Sequence, residues 1–413
     1  MRRGLRKLLT VSSVVLLTLL AAVFGGPLVS GGLLLLLPTG LEAVAHDLPT
    51  SYAPLHKGFV DPSTGLYVRE NEDLVIPGTP ALILKRTYLS GYRASKEFGI
   101  GTTHNGEIYL HGNLRQASLI LETGSRIVFD RTSPGISYVN AMFEHRSSGD
   151  WDGARLGWAG FGWALKHPAG DLMTFRGCGS GSVCSITQER DSDGHSIRYV
   201  RDFSGRLTRM QTTDRWIDFT YDGKNRVKRA RTSTGQAAFY QYDDRGRLTE
   251  VETAGRFYRY RYTDRDEMAV MEEPGRTITN TYDANGRCIR QDVRNSGSTE
   301  TLTFTFSFDV DAGEVVRAAM RRSDGPWSRY VFNRYGSVVS ESWGTAGAET
   351  ARVDYERDAQ TDQPRGLTVT CPDRKGLPLR HIGYAGVNGV DYVKSNILST
   401  HCRSTKEPPA GPE

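Results

Sequence analysis

One phrase recurs along the chain and limits what it can fold into: an aromatic residue and aspartate, two variable residues, glycine or asparagine, then arginine and an apolar residue. Its first copy, Asp202-Phe203-Ser204-Gly205-Arg206-Leu207, lacks the leading aromatic. Fuller copies are Tyr221-Asp222 with Asn225-Arg226-Val227, Tyr242-Asp243-Asp244-Arg245-Gly246-Arg247-Leu248, and Tyr282-Asp283-Ala284-Asn285-Gly286-Arg287. Weaker copies stand at Tyr262-Thr263, Phe308-Asp309 and Phe332-Asn333-Arg334-Tyr335-Gly336. Counted from Asp202, the second position falls at 222, 243, 263, 283, 309 and 333, so a step of 20 or 21 later lengthens to 26 and 24. A fixed period of this size marks a repeat architecture.

Each part of the phrase suits a tight hairpin. An aspartate carboxylate accepts a backbone N–H two residues on, and glycine or asparagine three residues after it tolerates the positive φ that closes the turn. Tyr221, Asp222, Tyr242, Asp243, Gly246, Tyr282, Asp283 and Gly286 are therefore the expected turn residues. Between turns the residues alternate: Tyr258, Tyr260 and Tyr262 are separated by Arg259 and Arg261, and Phe304, Phe306 and Phe308 by Thr305 and Ser307. Alternation with period two puts the aromatics on one face of a sheet. Successive hairpins would then stack those aromatics as a shared core. The expected class is all-β, a tandem hairpin array forming an open, curved or spiral sheet after an N-terminal β domain.

The Tyr-Asp-x-x-Gly-Arg-Leu copies resemble the YD repeats of RHS and teneurin-type proteins, in which a long β-sheet spirals into a shell. The resemblance extends upstream. Val60-Asp61-Pro62-Ser63-Thr64-Gly65, Asp73-Leu74-Val75-Ile76-Pro77-Gly78 and Leu84-Lys85-Arg86-Thr87-Tyr88 look like the domain that opens many RHS cores. Gly99-Ile100-Gly101-Thr102-Thr103-His104-Asn105 continues it, with Thr102 where tryptophan is usual, and Gly162-Trp163-Ala164-Leu165 through Phe175 resembles the strand before the repeats. The expected organisation is a leader over 1–45, an RHS-type β domain over 57–190, the array over 191–365, and a partly disordered extension over 366–413.

The resemblance also implies pieces that the sequence does not show. Relatives with a complete shell have more repeats, then a self-cleavage motif of aspartate, proline and glycine, then a toxic domain. Here Asp61-Pro62-Ser63-Thr64-Gly65 precedes the repeats and reads as a turn. No Gly-x-Ser-x-Gly elbow, His-Glu-x-x-His pair or phosphate-binding Gly-Lys-Ser/Thr loop is present. No catalytic residue, metal ligand or cofactor is expected, and Asp191-Ser192-Asp193-Gly194 reads as a turn because the later ligands of a calcium loop are missing.

Arg2, Arg3, Arg6 and Lys7 precede the apolar run Leu8–Phe24, and Ala43-Val44-Ala45 offers a signal-peptidase site. Cleavage after Ala45 is the preferred reading. Retention as a membrane anchor is the alternative, because Leu8–Leu37 exceeds the span of about 20 apolar residues that a bilayer needs. The leader also holds +3 of the formal charge of +5, which leaves the body near neutral and argues against nucleic acid as a partner. Cys178 and Cys184 bracket a loop short enough for a local disulfide, and five cysteines leave at least one unpaired. The leading expectation is an exported, non-enzymatic scaffold that binds or partly encloses another polypeptide, a toxin or second shell fragment. Surface glycan binding through Trp151, Trp158, Trp163 and Trp216 is the alternative, and a cryptic glycoside hydrolase a third reading.

Overall fold

The computed structural model describes residues 60–382, apart from 147–150, 177–182, 335, 346, 360–361, 363 and 373–378. The expected leader, Cys178, Cys402 and the end of the C-terminal extension lie outside the described residues.

Every regular element among the described residues is a strand. Val68–Ile76, Leu82–Leu89 and Thr102–His104 form a small three-stranded sheet. From Tyr109–Gly112 onward each strand pairs antiparallel with the next, through to Leu379–Ile382, beyond the expected end of the array at 365. Between Ser196 and Asn295 the short loops make this meander unavoidable, since connections of two to five residues join antiparallel neighbours only.

The expectation of an open sheet needs one correction. Leu110 and Tyr109 pair with Cys184 and Ser185, closing the eight strands from Tyr109–Gly112 to Cys184–Arg190 into a small barrel. Leu119, Phe129, Leu156, Leu165, Phe175 and Ile186 fill it, and closure removes two sheet edges that would otherwise stand unpaired. Cys184–Arg190 is also the branch point: its later residues, Gln188 to Arg190, pair with Arg198 to Ser196 and start the array.

In the array the inner face carries the aromatics and aliphatics. In Arg256–Tyr262, Tyr260 is buried while Arg259 and Arg261 are exposed. One continuous core runs from Val60 to Met320 and includes residues of the three-stranded sheet, the barrel and the array together. Farther along, Val315 and Phe332, then Val353, Leu367 and Val369, form separate small clusters.

Candidate functional site

The turns follow one chemical plan. In the copies at 202, 222 and 243 the aspartate Oδ1 accepts the N–H of the residue four positions on, and Oδ2 pairs with that same residue's arginine Nε at 2.6–2.8 Å. Asp283 accepts the N–H of Arg287 in the same way. The fourth position has φ of 84°, 62°, 89° and 80° at Gly205, Asn225, Gly246 and Gly286, the left-handed region that glycine and asparagine tolerate.

The arginine is then held over the next repeat. Arg206, Arg226 and Arg247 lie over the rings of Tyr221, Tyr242 and Tyr262 at 5.0, 4.5 and 5.1 Å. Those tyrosines reach back in turn, donating their hydroxyls to the carbonyls of Leu207, Val227 and Leu248 at 2.6–2.7 Å, and Tyr282 does so to Met268 at 2.8 Å. The apolar position after the arginine, filled by Leu207, Val227, Leu248, Met268 and Cys288, is buried in every case. The whole phrase is thus a lock between neighbouring repeats. Tyr242→Phe keeps the ring under Arg226 and loses only the hydroxyl bond; chemical denaturation is expected to show a loss of about 1 kcal/mol.

The aspartates also tie the array to pH. Burial works to raise the carboxyl pKa of Asp222 and Asp243, but the backbone donors and the paired arginine outweigh it and hold both below the usual range. Depressed carboxylates contribute stability that is complete above their unfolded pKa of about 4 and is lost as pH falls through the folded values. An acid titration followed by circular dichroism is expected to show this loss, and Asp243→Asn to lessen it.

The fourth turn departs from the plan. Thr263 replaces aspartate, Asp266 takes the left-handed position at φ 65°, and Glu267 stands where arginine is usual. Glu267 is buried and its charge is met by Arg265 at 3.0 Å and by Arg93 of the N-terminal segment at 3.8 Å. Asp191 forms a further turn of this plan, with His195 in the arginine's place at 2.9 Å.

Each turn is followed by a register shift, and the segment 60–107 runs along that line of irregular backbone. The N–H of Leu207 donates to Glu97 Oε1 (2.9 Å) and that of Val227 to the Glu97 carbonyl (2.7 Å). Ile100 N–H donates to the Gly246 carbonyl (3.1 Å), Met268 N–H to the Tyr88 hydroxyl (2.8 Å), and Cys288 N–H to the Gly65 carbonyl (2.8 Å). Five successive turns are therefore each bonded by one N-terminal segment of the same chain, which is itself folded into short antiparallel sheets. Buried backbone donors need such partners, and this stretch supplies them where the ladder is interrupted.

Side chains fasten the same contact. Asp73 and Arg86 form a buried bidentate pair, with Arg86 Nη2 to Asp73 Oδ1 at 2.9 Å. Tyr240 donates to Asp73 Oδ2 (2.8 Å), Thr253 to the Asp73 carbonyl (2.6 Å), and Tyr260 lies 3.4 Å from Arg86. Arg69 pairs with Glu273 at 2.5 Å. His104 Nδ1 accepts Gly106 N–H, so its Nε2 donates to Glu97 at 2.7 Å. Burial pushes the Glu97 carboxyl up, but His104 and the Leu207 N–H hold it below the ordinary value.

The remaining candidates lie apart. Cys184 and Cys371 each take part in a disulfide, and Cys288 is a buried free thiol; the expected partner of Cys184, Cys178, is outside the described residues. Trp158 and Trp163 pack on each other, Trp151 on His167, and Trp216 lies under Arg209. Among the described residues no three His, Cys, Asp or Glu side chains gather as a metal site would require.

Fold and site define a β-hairpin repeat protein whose array is laced to a small N-terminal β segment of its own chain. Residues 57–129 match the family described as a domain of unknown function, DUF6531, which often stands N-terminal to RHS repeats. No curated protein matches the sequence. Among solved structures the chain is similar to TcdB2-TccC3, an RHS-repeat shell, at 11% identity and a TM-score of 0.36, over 78% of this chain and 23% of that one. The complex TcdB2-TccC3-Cdc42 gives 10% identity and a TM-score of 0.35, over 75% and 22%. A porin-like protein from Bacteroides vulgatus gives 10% identity and a TM-score of 0.19, over 46% and 95%. The chain thus spans about a quarter of the TcdB2-TccC3 chain it resembles.

Proposed function

We propose that the chain is an exported, non-enzymatic scaffold of RHS type that binds or partly encloses another polypeptide. The observation that carries this reading is the use of the inner face: it already holds a folded segment of its own chain, residues 60–107, through backbone and side-chain bonds at five turns. The face continues past that segment. Phe304 stands opposite Gln291, and Phe308 and Tyr330 both stand opposite Ala318, all three aromatics half-buried. Half-buried aromatic rings suit a further apolar chain. Export rests on the basic and apolar leader and the Ala43-Val44-Ala45 triplet.

Co-expression with the polypeptide encoded directly downstream tests the proposal. The expected result is a complex in which that polypeptide resists protease, and its loss in a Phe304→Asp/Tyr330→Asp variant that keeps its circular dichroism spectrum. Digestion of the downstream polypeptide at the rate of the free species would overturn it.

A further inference from the structure

In an antiparallel meander alternate connections share an end. At one end of the barrel lie the connections 113–115, 132–141 and 159–162, and the next turn of the array on that edge is 202–206. Every one of them carries an exposed apolar side chain: Leu114, Ile136 with Val139, Phe161 and Phe203. Ile136 and Phe161 are 86% and 83% exposed and Phe203 is wholly so. The connections of the opposite end, 121–125, 145–154, 167–171 and 191–195, carry Glu122, Asp152, Asp171, Asp191 and Asp193 instead, with Arg146 among them, and none of their described residues is an exposed large apolar side chain.

The apolar tips are built on a firm base. Arg131 donates to the carbonyls of Leu114, Ser133, Pro134 and Ser137 at 2.9–3.3 Å, fixing the loops that bear Leu114 and Ile136 to one another. Behind them Tyr138 meets Trp158 edge-on at 5.1 Å and Trp158 meets Trp163 at 5.5 Å. A shallow cavity of about 420 Å³ lies between the first two tips, lined by Leu114, Arg115, Arg131 and Ile136 among others. Arg176 adds a third cation at this end, against Asp130; the neighbouring Glu144 is paired with Arg146 and Arg155, and Asp202 with Arg206.

We propose that this end of the barrel docks on an anionic lipid bilayer. Protruding apolar tips on separate loops enter the acyl boundary, tyrosine and tryptophan sit at headgroup depth, and arginines meet the phosphates. A protein partner would need a matching pit for each separated tip, whereas a bilayer accepts any such arrangement. The positive apolar end and the acidic opposite end orient the body on a negatively charged surface. The docking is independent of the leader, because it uses Leu114 to Phe203 alone.

Environment-sensitive fluorophores on the full-length chain test this. One is attached at Ile136→Cys, the other at Asp193→Cys on the opposite end, with the unsubstituted chain as the labelling blank. With vesicles of phosphatidylcholine and phosphatidylglycerol, the label at 136 is expected to shift to the blue and to be quenched by brominated lipid, while that at 193 is unchanged. Phe161→Asp and Arg115→Glu, each added to the 136 label, are expected to weaken the shift. Equal response at both positions would mean that the leader alone holds the protein to the vesicle, and would overturn the proposal. So would no response at 136, or a shift that grows with protein concentration in the absence of lipid, which assigns the tips to a second copy.

Discussion

Asp73→Ala is expected to destabilise the protein by about 3–5 kcal/mol, because it strands the Arg86 guanidinium inside the core. Both side chains are almost wholly shielded from solvent, and Asp73 answers Arg86, the Tyr240 hydroxyl and, through its backbone carbonyl, Thr253. Removing both charges together, as Asp73→Leu/Arg86→Met, is expected to cost less than Asp73→Ala alone, since the penalty comes from the unpaired charge and not from a missing attraction. Urea denaturation of the three proteins decides it. The exposed pair Arg259–Glu250 is the internal control: Arg259→Ala is expected to cost no more than about 1 kcal/mol. An Asp73→Ala midpoint as mild as that of Arg259→Ala would mean that the buried pair does not hold the segment to the array.

The arrangement explains why the repeat spacing drifts. The segment 60–107 bonds the turns from 202–206 to 283–287, and over that stretch the second position recurs every 20 or 21 residues. A rail with fixed bonding points demands a fixed spacing. The last of these turn bonds is at Cys288, and beyond it the strands lengthen to ten residues at Leu302–Asp311 and Ala348–Arg357. The continuous core itself ends at Met320, and the buried residues beyond it fall into small separate clusters.

Much of the array could be read from the residues, because hairpins are local. Aspartate to N–H, left-handed glycine and alternating aromatics all act within a few positions, so Asp243, Gly246 and Tyr260 announce their roles in the chain itself. The function of the repeat tyrosine was only half legible. Tyr242 reads as a turn residue and Tyr262 as part of the core stripe, whereas their hydroxyls bond the carbonyls of Val227 and Leu248; the constant offset of 14 or 15 residues was the available signal. Barrel closure was not legible, because the Leu110–Cys184 pairing joins strands far apart that share no motif. Nor were Asp73 and Arg86. Two charges 13 residues apart on adjacent strands resemble any surface pair until a third element buries them.

Gly99→Ala is expected to cost about 2–5 kcal/mol, the sum of a left-handed backbone and an added atom with nowhere to go. Gly99 has φ +85°, and a Cβ there would lie 2.4 Å from the Gly246 carbonyl oxygen and 3.2 Å from the Tyr242 ring. That carbonyl accepts Ile100 N–H, so relief of the clash must break the bond between the segment and the third turn. Gly255→Ala separates the two contributions. Gly255 has φ +70° with open space where its Cβ would stand, so it carries the backbone cost of about 1–2 kcal/mol without the collision. Hydrogen exchange gives the local reading: Gly99→Ala is expected to speed exchange at Ile100 and at Val227, whose N–H donates to neighbouring Glu97, while Gly255→Ala leaves both protected. If the two alanines proved equal in stability and in exchange, the close approach of the segment to the turns would not be what keeps the repeats in step.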